Sequence, residues 1–352
     1  MSRLLPSLWL LCGCLERAPE APVSVDARPA PTGVAKAGAF VVVLDSGAVY
    51  GTETTYRPGS VVVIDPSTFA IVNRLPTTGK DPVYALATAT DLYVVSPGPI
   101  QGPEHAIAED GALDVFPVED LDTAVTPAWS VRFKGGGKPA LIQGRLFLGS
   151  ATTGDVFEVD LLARKLARTI PVCTPHDLNT TAVAAHSAGL LVACCNSDDL
   201  HVLDPVTGAV TEGPIDLNQD GSKGQLQCPI DLTVREDGQQ PDVFVVMAIA
   251  PLIAAVDART WTVAARWFVG GVIDNRLACE PDRVYVTSSG DNALRVLDRA
   301  TASETARVVF PPKCAPWETA IAFGRAWVSL NGCGKVGAID IEDPSHVMFI
   351  DL

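Results

Sequence analysis

The stretch "NALRVLDRATASETARVV" at residues 292–309 predicts two short strands joined by an Asp-x-x-Thr turn. Nearly the same phrase occurs three more times, as "GSVVVIDPSTFAIVNRL" (59–75), "DDLHVLDPVTGAVTEG" (198–213) and "PLIAAVDARTWTVAARW" (251–267). An Asp side chain accepts hydrogen bonds from backbone N–H groups two residues further on, and a Thr hydroxyl can close the same turn. We therefore interpret the motif as a hairpin former that determines the fold and carries no chemistry.

The Asp that ends the first strand of this phrase recurs through the whole chain at intervals of 41 to 53 residues. The markers are Asp65, Asp160, Asp204, Asp257, Asp298 and Asp340, with Pro117 in the equivalent place of a degenerate copy. A Val-rich strand precedes each marker, and before that comes a strand of small residues that often opens with Pro. Seven units of four short strands predict an all-β protein, a seven-bladed β-propeller of four-stranded antiparallel blades. A stacked solenoid is the alternative, but its repeats are usually shorter.

Two of the repeats resemble a known family of blades. "RVYVTSSGDNALRVLDRAT" (283–301) and "GSVVVIDPSTFAIVNRLPTTGKDP" (59–82) are similar to the blade of the YVTN-repeat family of bacterial propellers, which belongs with the WD40-like folds. The resemblance covers roughly residues 33–352, and it implies the propeller fold while implying almost nothing about activity. Blade 2 (about 79–134) and blade 5 (about 228–268) depart most from the family pattern.

Composition excludes several classes of partner. Hydrophobic residues make up 47% of the 352-residue chain and charged residues 19%, as expected of a folded protein. The net charge of −15 argues against nucleic acid, because no basic surface is available to neutralise phosphates. No basic cluster indicates adhesion to an anionic membrane surface either.

The first fourteen residues, "MSRLLPSLWLLCGC", have the pattern of an export signal, with Arg3 before a short apolar segment. Leu11-Cys12-Gly13-Cys14 resembles a bacterial lipobox, which implies that Cys14 is the lipidated first residue of the mature chain. The alternative is a short export signal with incidental cysteines. Residues 15–32 are rich in Ala and Pro and are predicted to be a tether to the propeller of residues 33–352. We expect a cell-envelope lipoprotein anchored in the outer membrane, or alternatively a secreted protein.

Beyond Cys12 and Cys14, seven cysteines remain, and an exported protein is expected to oxidise them with one thiol left over. We expect Cys314 to pair with Cys333. Cys173 is expected to pair with one of the adjacent residues Cys194 and Cys195, and we name Cys195 as the candidate. The chain has no Cys-x-x-Cys motif, which disfavours zinc and thioredoxin-type sites.

Functional sites of propellers lie at the ends of the central channel, so we compared where each innermost strand begins. Counting two residues past the Pro gives Tyr84, Leu141, Asp177, Asp231 and Glu318, and counting from Val272 gives Asp274 in blade 6. Four consecutive blades thus carry an acid there. The predicted ligand-binding residues are Asp177, Asp231, Asp274 and Glu318, with His176 nearby.

Like charges crowded at a channel mouth are unfavourable unless they are neutralised. This predicts a divalent cation, or a cationic or amine ligand, at the channel mouth. The alternative is that the acids are splayed apart in solvent, or are paired with Lys80, Lys138 and Arg276.

A second candidate site lies in "DLNQDGSKGQLQ" (216–227). Asp216, Asn218 and Asp220 match the first half of an EF-hand-like calcium loop. Position 12 of the loop is Gln227, which cannot offer a bidentate carboxylate. The segment is therefore either a loose surface Ca²⁺ site or a simple polar loop.

No catalytic signature accompanies the repeats: Gly-x-Ser-x-Gly, HExxH and the haem motif CxxCH are all missing from the sequence. Our leading hypothesis is a non-enzymatic, monomeric exported propeller that binds a protein partner or small ligand through one face. The alternatives are a metal-dependent propeller enzyme of the lactonase or lyase type and an electron-transfer subunit like that of amine dehydrogenase.

Overall fold

The computed structural model describes residues 28–49, 54–101, 106–107, 111–173, 181–218, 227–270 and 274–352. This part of the chain forms seven sheets of four antiparallel strands and two small hairpins. The one helical segment described is a 3₁₀ turn, Val118–Asp120. No helix in the described residues is long and apolar enough to cross a membrane. The predicted fold, an all-β propeller of seven four-stranded blades, is confirmed.

The first three blades come from the N-terminal half of the chain, and each uses contiguous sequence with its innermost strand first. Blade 1 contains β1 (Pro31–Ala37), β2 (Phe40–Asp45), β5 (Ser60–Ile64) and β6 (Ile71–Pro76), with a hairpin of β3 (Ala48–Val49) and β4 (Thr55–Tyr56). Blade 2 contains β7 (Tyr84–Ala87), β8 (Asp91–Ser96), β11 (Gly111–Pro117) and β12 (Trp129–Phe133), with a hairpin of β9 (Ile100–Gln101) and β10 (Ala106–Ile107). Blade 3 contains β13 (Gly136–Ile142), β14 (Arg145–Ser150), β15 (Asp155–Asp160) and β16 (Lys165–Pro171).

The remaining four blades follow the same order without added hairpins among the strands described. Blade 4 contains β17 (Thr181–His186), β18 (Gly189–Cys194), β19 (Asp199–Leu203) and β20 (Val210–Asp216). Blade 5 contains β21 (Pro229–Val234), β22 (Val243–Met247), β23 (Leu252–Asp257) and β24 (Thr262–Phe268). Blade 6 contains β25 (Asp274–Cys279), β26 (Arg283–Ser288), β27 (Ala293–Asp298) and β28 (Glu304–Val309). Blade 7 contains β29 (Pro316–Ala322), β30 (Arg325–Leu330), β31 (Lys335–Asp340) and β32 (Val347–Asp351).

The Asp-x-x-Thr motif forms the predicted turn between the third and fourth strands. In blade 6 the Asp298 Oδ1 accepts hydrogen bonds from the Thr301 hydroxyl at 2.7 Å, from the Thr301 N–H at 2.8 Å and from the Ala300 N–H at 3.1 Å. These donors, the Thr301 hydroxyl first, lower the pKa of Asp298. Asp204 accepts from two backbone N–H groups in the same way in blade 4.

The Val-rich second strand of each blade is buried on both faces. In β2 the residues Val41 and Val43 pack against blade 7, whereas Val42 and Leu44 pack against blade 2. Successive side chains of a strand point to opposite faces, so a strand between two neighbouring blades must be apolar at every position. The continuous apolar runs in the sequence follow from this arrangement.

The ring closes by direct docking of blade 7 on blade 1. The innermost strand β1 contacts both β7 and β29. The Ser329 hydroxyl donates to the Thr32 carbonyl, and the Asn331 side-chain amide donates to the Pro31 carbonyl at 3.2 Å. β1 begins at Pro31, so its first two residues come from the segment assigned to the tether. The preceding part of the predicted tether, residues 15–27, lies outside the described residues.

The two faces of the disc differ in what they carry. The face where the innermost strands begin, which we call the entry face, carries the linkers between blades and the connections from second to third strands. Both extra hairpins therefore extend from the entry face, in blades 1 and 2. The opposite face carries the tight turns, including the Asp-x-x-Thr turns.

The adjacent cysteines of blade 4 bond to different neighbours, which corrects one predicted pairing. Cys173 is bonded to Cys194 and not to Cys195, and Cys195 is bonded to Cys228 at the start of blade 5. Because adjacent residues point to opposite faces, Cys194 packs with Cys173 on the blade 3 side while Cys195 packs with Cys228 on the blade 5 side. Each of the two cysteines can therefore form a disulfide on one side of blade 4 only.

Blade 7 contains the predicted Cys314–Cys333 disulfide, which is confirmed. The remaining described cysteine, Cys279, is the expected free thiol. Burial raises the pKa of Cys279 to about 11, against the opposing effect of Arg299 and Arg235, so the thiolate is disfavoured at neutral pH.

We predict that Trp327→Ala opens the ring, because Trp327 is fully buried in the cluster that joins blades 1 and 7. Removing a buried indole leaves a cavity and should lower the free energy of unfolding by about 3–5 kcal/mol. Urea denaturation followed by circular dichroism measures the change. Leu162→Ala is the control, since its side chain is 97% exposed and should change stability by less than about 0.5 kcal/mol. Equal effects of the two substitutions would contradict closure through this cluster.

Candidate functional site

One backbone position recurs in all seven innermost strands and defines the hub of the ring. In each blade, the third residue from the end of the second strand pairs with one residue of the innermost strand. The hub position is the residue immediately before that partner. The seven hub positions, from blade 1 to blade 7, are Gly33, Tyr84, Lys138, Ala182, Asp231, Arg276 and Glu318.

This register corrects the residue alignment made from the prolines. Tyr84, Asp231 and Glu318 do occupy hub positions, but blades 3 and 6 supply Lys138 and Arg276 instead of Leu141 and Asp274. The Pro precedes the hub residue by two positions in blades 2, 5 and 7, but Pro139 of blade 3 directly follows Lys138. In blade 6, Val272 lies four residues before Arg276. Backbone pairing places Asp274 opposite Ser288, two residues before Arg276. Asp177 and His176 lie outside the described residues.

Lys138 and Asp231 form a tight ion pair across the hub. The Lys138 ammonium lies 2.5 Å from Asp231 Oδ1 and also donates to the Leu232 carbonyl at 2.8 Å. Asp231 is fully buried, and its Oδ2 accepts from the Leu277 N–H at 3.0 Å. The pair joins blade 3 to blade 5 past Ala182, a small residue that leaves room for it. Both carboxylate oxygens of Asp231 therefore have partners within the protein.

Arg276 and Glu318 form a looser pair. The Arg276 guanidinium lies over the rings of Tyr84 and Trp317, 5.4 and 5.5 Å from their centroids, and its Nη2 is 3.4 Å from the Tyr84 hydroxyl. Its Nε is 3.5 Å from Glu318 Oε2, longer than the roughly 2.7–2.9 Å of a charge-assisted hydrogen bond. Arg276 thus reaches from blade 6 to blade 2 while Glu318 holds it only weakly.

The loosely held Glu318 also has a strongly raised pKa. Burial, followed by the negative charge of Asp231, raises the pKa of Glu318 to about 7 against the opposing charges of Arg276 and Lys138. At neutral pH the hub therefore exchanges between two charge states. Burial also raises the pKa of Asp81, three residues before Tyr84 on the entry face, to about 7.

Trp317 adds an unsatisfied donor to the hub. Its indole Nε1 is buried and has no hydrogen-bond partner among the described residues. A buried N–H without an acceptor is unfavourable by about 1–3 kcal/mol. We call the six side chains Tyr84, Lys138, Asp231, Arg276, Trp317 and Glu318 the hub layer.

From the sequence, Lys138 and Arg276 are predicted only as alternative partners of the acids, and Trp317 is not singled out. An alignment on the ends of the Val-rich second strands identifies Lys138 and Arg276, because the ladder is regular there. Nothing in the repeat marks Trp317, because its place in the hub depends on the Arg276 guanidinium, which reaches the Trp317 ring from blade 6.

The predicted calcium loop is anchored at its base. Asp216 Oδ1 accepts from the Asn218 N–H at 2.9 Å. Asp198 accepts from the backbone N–H groups of Gln227 and Cys228, at 3.0 and 2.7 Å, and burial raises its pKa to about 6. Asp220 lies outside the described residues, so calcium binding here stays a prediction.

Comparisons with known proteins show the fold. No family model and no curated protein matches the chain. Among solved structures, a streptogramin B lyase superimposes with a TM-score of 0.63 at 11% identity, covering 94% of this chain and 96% of that one. The β-propeller domain of Cps50 (Swd1) from Myceliophteria thermophila gives 0.61 at 13% identity, with coverage of 94% and 99%. The computationally designed protein Ika8 gives 0.60 at 14% identity, with coverage of 93% and 89%. At these identities the likeness establishes a β-propeller and no activity.

We predict that Lys138→Met destabilises the protein by about 3–5 kcal/mol, because it leaves the buried Asp231 carboxylate without its cation. The double variant Lys138→Met/Asp231→Asn should recover most of the loss, since an amide keeps an acceptor for the Leu277 N–H and carries no charge. Urea denaturation of both variants measures the difference.

Lys335→Met is the matched control for this prediction. Its ammonium is also 2.5 Å from a carboxylate, but that partner, Asp351, is 81% exposed, so the loss should stay below about 1 kcal/mol. Lys138→Met and Lys335→Met with equal effects would show that the hub pair is not held in a buried, low-dielectric site.

Proposed function

We propose that this chain is an exported, lipid-anchored β-propeller that binds a small polar ligand at the hub on its entry face. The observation that carries the proposal is the contrast within the hub layer. Asp231 is fully paired, whereas Glu318 is loosely paired and Trp317 offers a donor with no acceptor in the described residues. Buried polar groups are normally satisfied, so each exception needs an explanation, and a ligand that accepts from the Trp317 N–H supplies one at the hub.

Two features support export. Leu11-Cys12-Gly13-Cys14 resembles a lipobox after a short apolar segment. The six cysteines of the three disulfides would be reduced in a cytosol and oxidised in a cell envelope.

Lipid attachment at Cys14 predicts that the full chain, produced in a bacterial host with labelled palmitate, carries the label and fractionates with the envelope. Cys14→Ser should abolish labelling, and the neighbouring Cys12→Ser should leave it unchanged. Labelling that depends on Cys12, or no labelling of either protein, would refute the anchor.

A metal-dependent enzyme is the second candidate function. Glu318 has a pKa of about 7, which suits a general acid or base at neutral pH. The shared fold of the streptogramin B lyase does not carry its chemistry to this chain.

Native mass spectrometry of the chain, purified without chelators or extensive dialysis, separates the two functions. We expect an organic adduct that is released on denaturation and is lost in Arg276→Gln, which removes the guanidinium from between the two rings. Arg307→Gln, a half-exposed arginine on the outermost strand of the same blade, should retain the adduct.

Two other results would contradict a ligand at the hub. Stoichiometric metal that disappears in Asp231→Asn and Asp274→Asn would favour the enzyme. An adduct that survives Arg276→Gln in a folded protein would place the ligand away from the hub.

A further inference from the structure

We propose that the reduced chain binds one Zn²⁺ ion between blades 3 and 4, through Cys173, Cys194, Asp199 and His201. This site is separate from the hub and does not depend on the ligand proposed there. In the oxidised chain the Cys173–Cys194 disulfide occupies both sulfurs. Zinc binding and this disulfide are therefore alternative states of the same group of side chains.

Backbone pairing brings three of these side chains to one face of blade 4. Cys194, the last residue of β18, pairs directly with Asp199, the first residue of β19, so the two side chains share a face. His201 follows Asp199 by two residues and points to the same face. Cys173 reaches that face from the end of blade 3, where it packs with Cys194. Ligand-type side chains thus converge from three separate segments of the chain.

The distances suit a single small ion. One ligand atom from each of Cys194, Asp199 and His201 lies within 4.8 Å of the other two, and no other such trio occurs among the described residues. In a tetrahedral zinc site, bonds of about 2.0–2.3 Å place neighbouring ligand atoms about 3–4 Å apart, so small side-chain rotations close the site. The Cys173 sulfur, now bonded to that of Cys194, supplies the fourth ligand.

The imidazole of His201 is held in place and keeps one uncommitted nitrogen. Its Nε2 lies 3.0 Å from Asp199 Oδ1, and the Ser197 hydroxyl donates to the same oxygen at 2.9 Å. The Nδ1 atom is buried and has no hydrogen-bond partner among the described residues. Zinc accepts thiolate, imidazole and carboxylate ligands together, whereas calcium and magnesium prefer oxygen alone. The ligand set therefore selects zinc or a similar transition-metal ion.

The two states interconvert by exchange with an external dithiol. Reduction adds two electrons and two protons to the S–S bond and gives the Cys173 and Cys194 thiols, while the dithiol is oxidised to its own disulfide. Zinc then replaces the two thiol protons, which leave to solvent. The missing Cys-x-x-Cys motif does not count against this site, because strand pairing and not sequence spacing brings its ligands together.

Two single substitutions test the site without any reductant. Cys173→Ser frees the Cys194 thiol beside Asp199 and His201, whereas Cys228→Ser frees the adjacent Cys195 thiol on the other side of blade 4. Each variant loses one disulfide and gains one thiol, so the two are matched. In a titration with Co²⁺, Cys173→Ser should bind one ion with a thiolate-to-cobalt charge-transfer band, and Zn²⁺ should remove the band. Cys228→Ser and the oxidised wild type should show no band.

Further substitutions in the Cys173→Ser background assign the band to its ligands. His201→Phe and Asp199→Asn should each weaken Co²⁺ binding by more than about tenfold. Glu212→Gln, which changes an exposed carboxylate on the outermost strand of the same blade, should leave the affinity unchanged. The other unpaired cysteines are common to all these proteins, so they cannot produce a difference between them.

Equal charge-transfer bands in Cys173→Ser and Cys228→Ser would overturn the inference, as would a band that survives His201→Phe in a folded protein. No band in folded Cys173→Ser would overturn it too. If that variant does not fold, the wild type reduced with a phosphine gives the second measurement. Zn²⁺ should then raise its Tm relative to a chelator, and Cys194→Ser should abolish the increase. No increase in the reduced wild type would reject the zinc site and leave the proposed function of the hub untouched.

Discussion

The burial of every second strand on both faces is the constraint on which the rest of the structure depends. A strand such as β2, with Val41 and Val43 on one side and Val42 and Leu44 on the other, needs an apolar neighbour on each side. An open row of blades would leave two such faces in water, whereas a closed ring leaves none. Closure in turn brings seven innermost strands together around one axis. The side chains at the hub positions must therefore meet, whatever their chemistry.

Stability alone does not explain why charged side chains occupy the hub positions. A buried ion pair is often no more stabilising than well-packed apolar residues, because desolvation offsets the attraction between the charges. The Lys138–Asp231 pair at least satisfies both its members. The Arg276–Glu318 pair is looser, since Arg276 Nε lies 3.5 Å from Glu318 Oε2, and the Glu318 pKa is raised to about 7. Glu318, at 3.5 Å from Arg276, and the Trp317 indole N–H, which has no acceptor among the described residues, are therefore the hub groups that support the proposed binding.

The sequence predicted the parts of the structure that depend on local patterns. The Asp298 turn, the apolar second strands and the count of seven blades all follow from interactions within a few residues or from their repetition. The hub could be located but not fully assigned, because the Pro used as the marker precedes the hub residue in blades 2, 5 and 7, whereas Pro139 follows Lys138 in blade 3. The partner of Cys173 was uncertain for a related reason: which face each of two adjacent cysteines presents depends on strand phase at the end of β18.

Disulfides and an ion pair connect blades 3, 4 and 5 in addition to their hydrophobic packing. Cys194 bonds to the segment that follows blade 3, and Cys195 bonds to the start of blade 5, so blade 4 is covalently held on both sides. At the hub, Lys138 spans the same two neighbours and contacts Asp231. Among the described residues of blade 4, Ala182 occupies the hub position, while the ion pair joins the blades on either side of it. The tight pair therefore spans the part of the ring in which disulfides connect blade 4 to both neighbours, whereas the Cys314–Cys333 disulfide beside the loose pair connects blade 7 to the segment that leads into it.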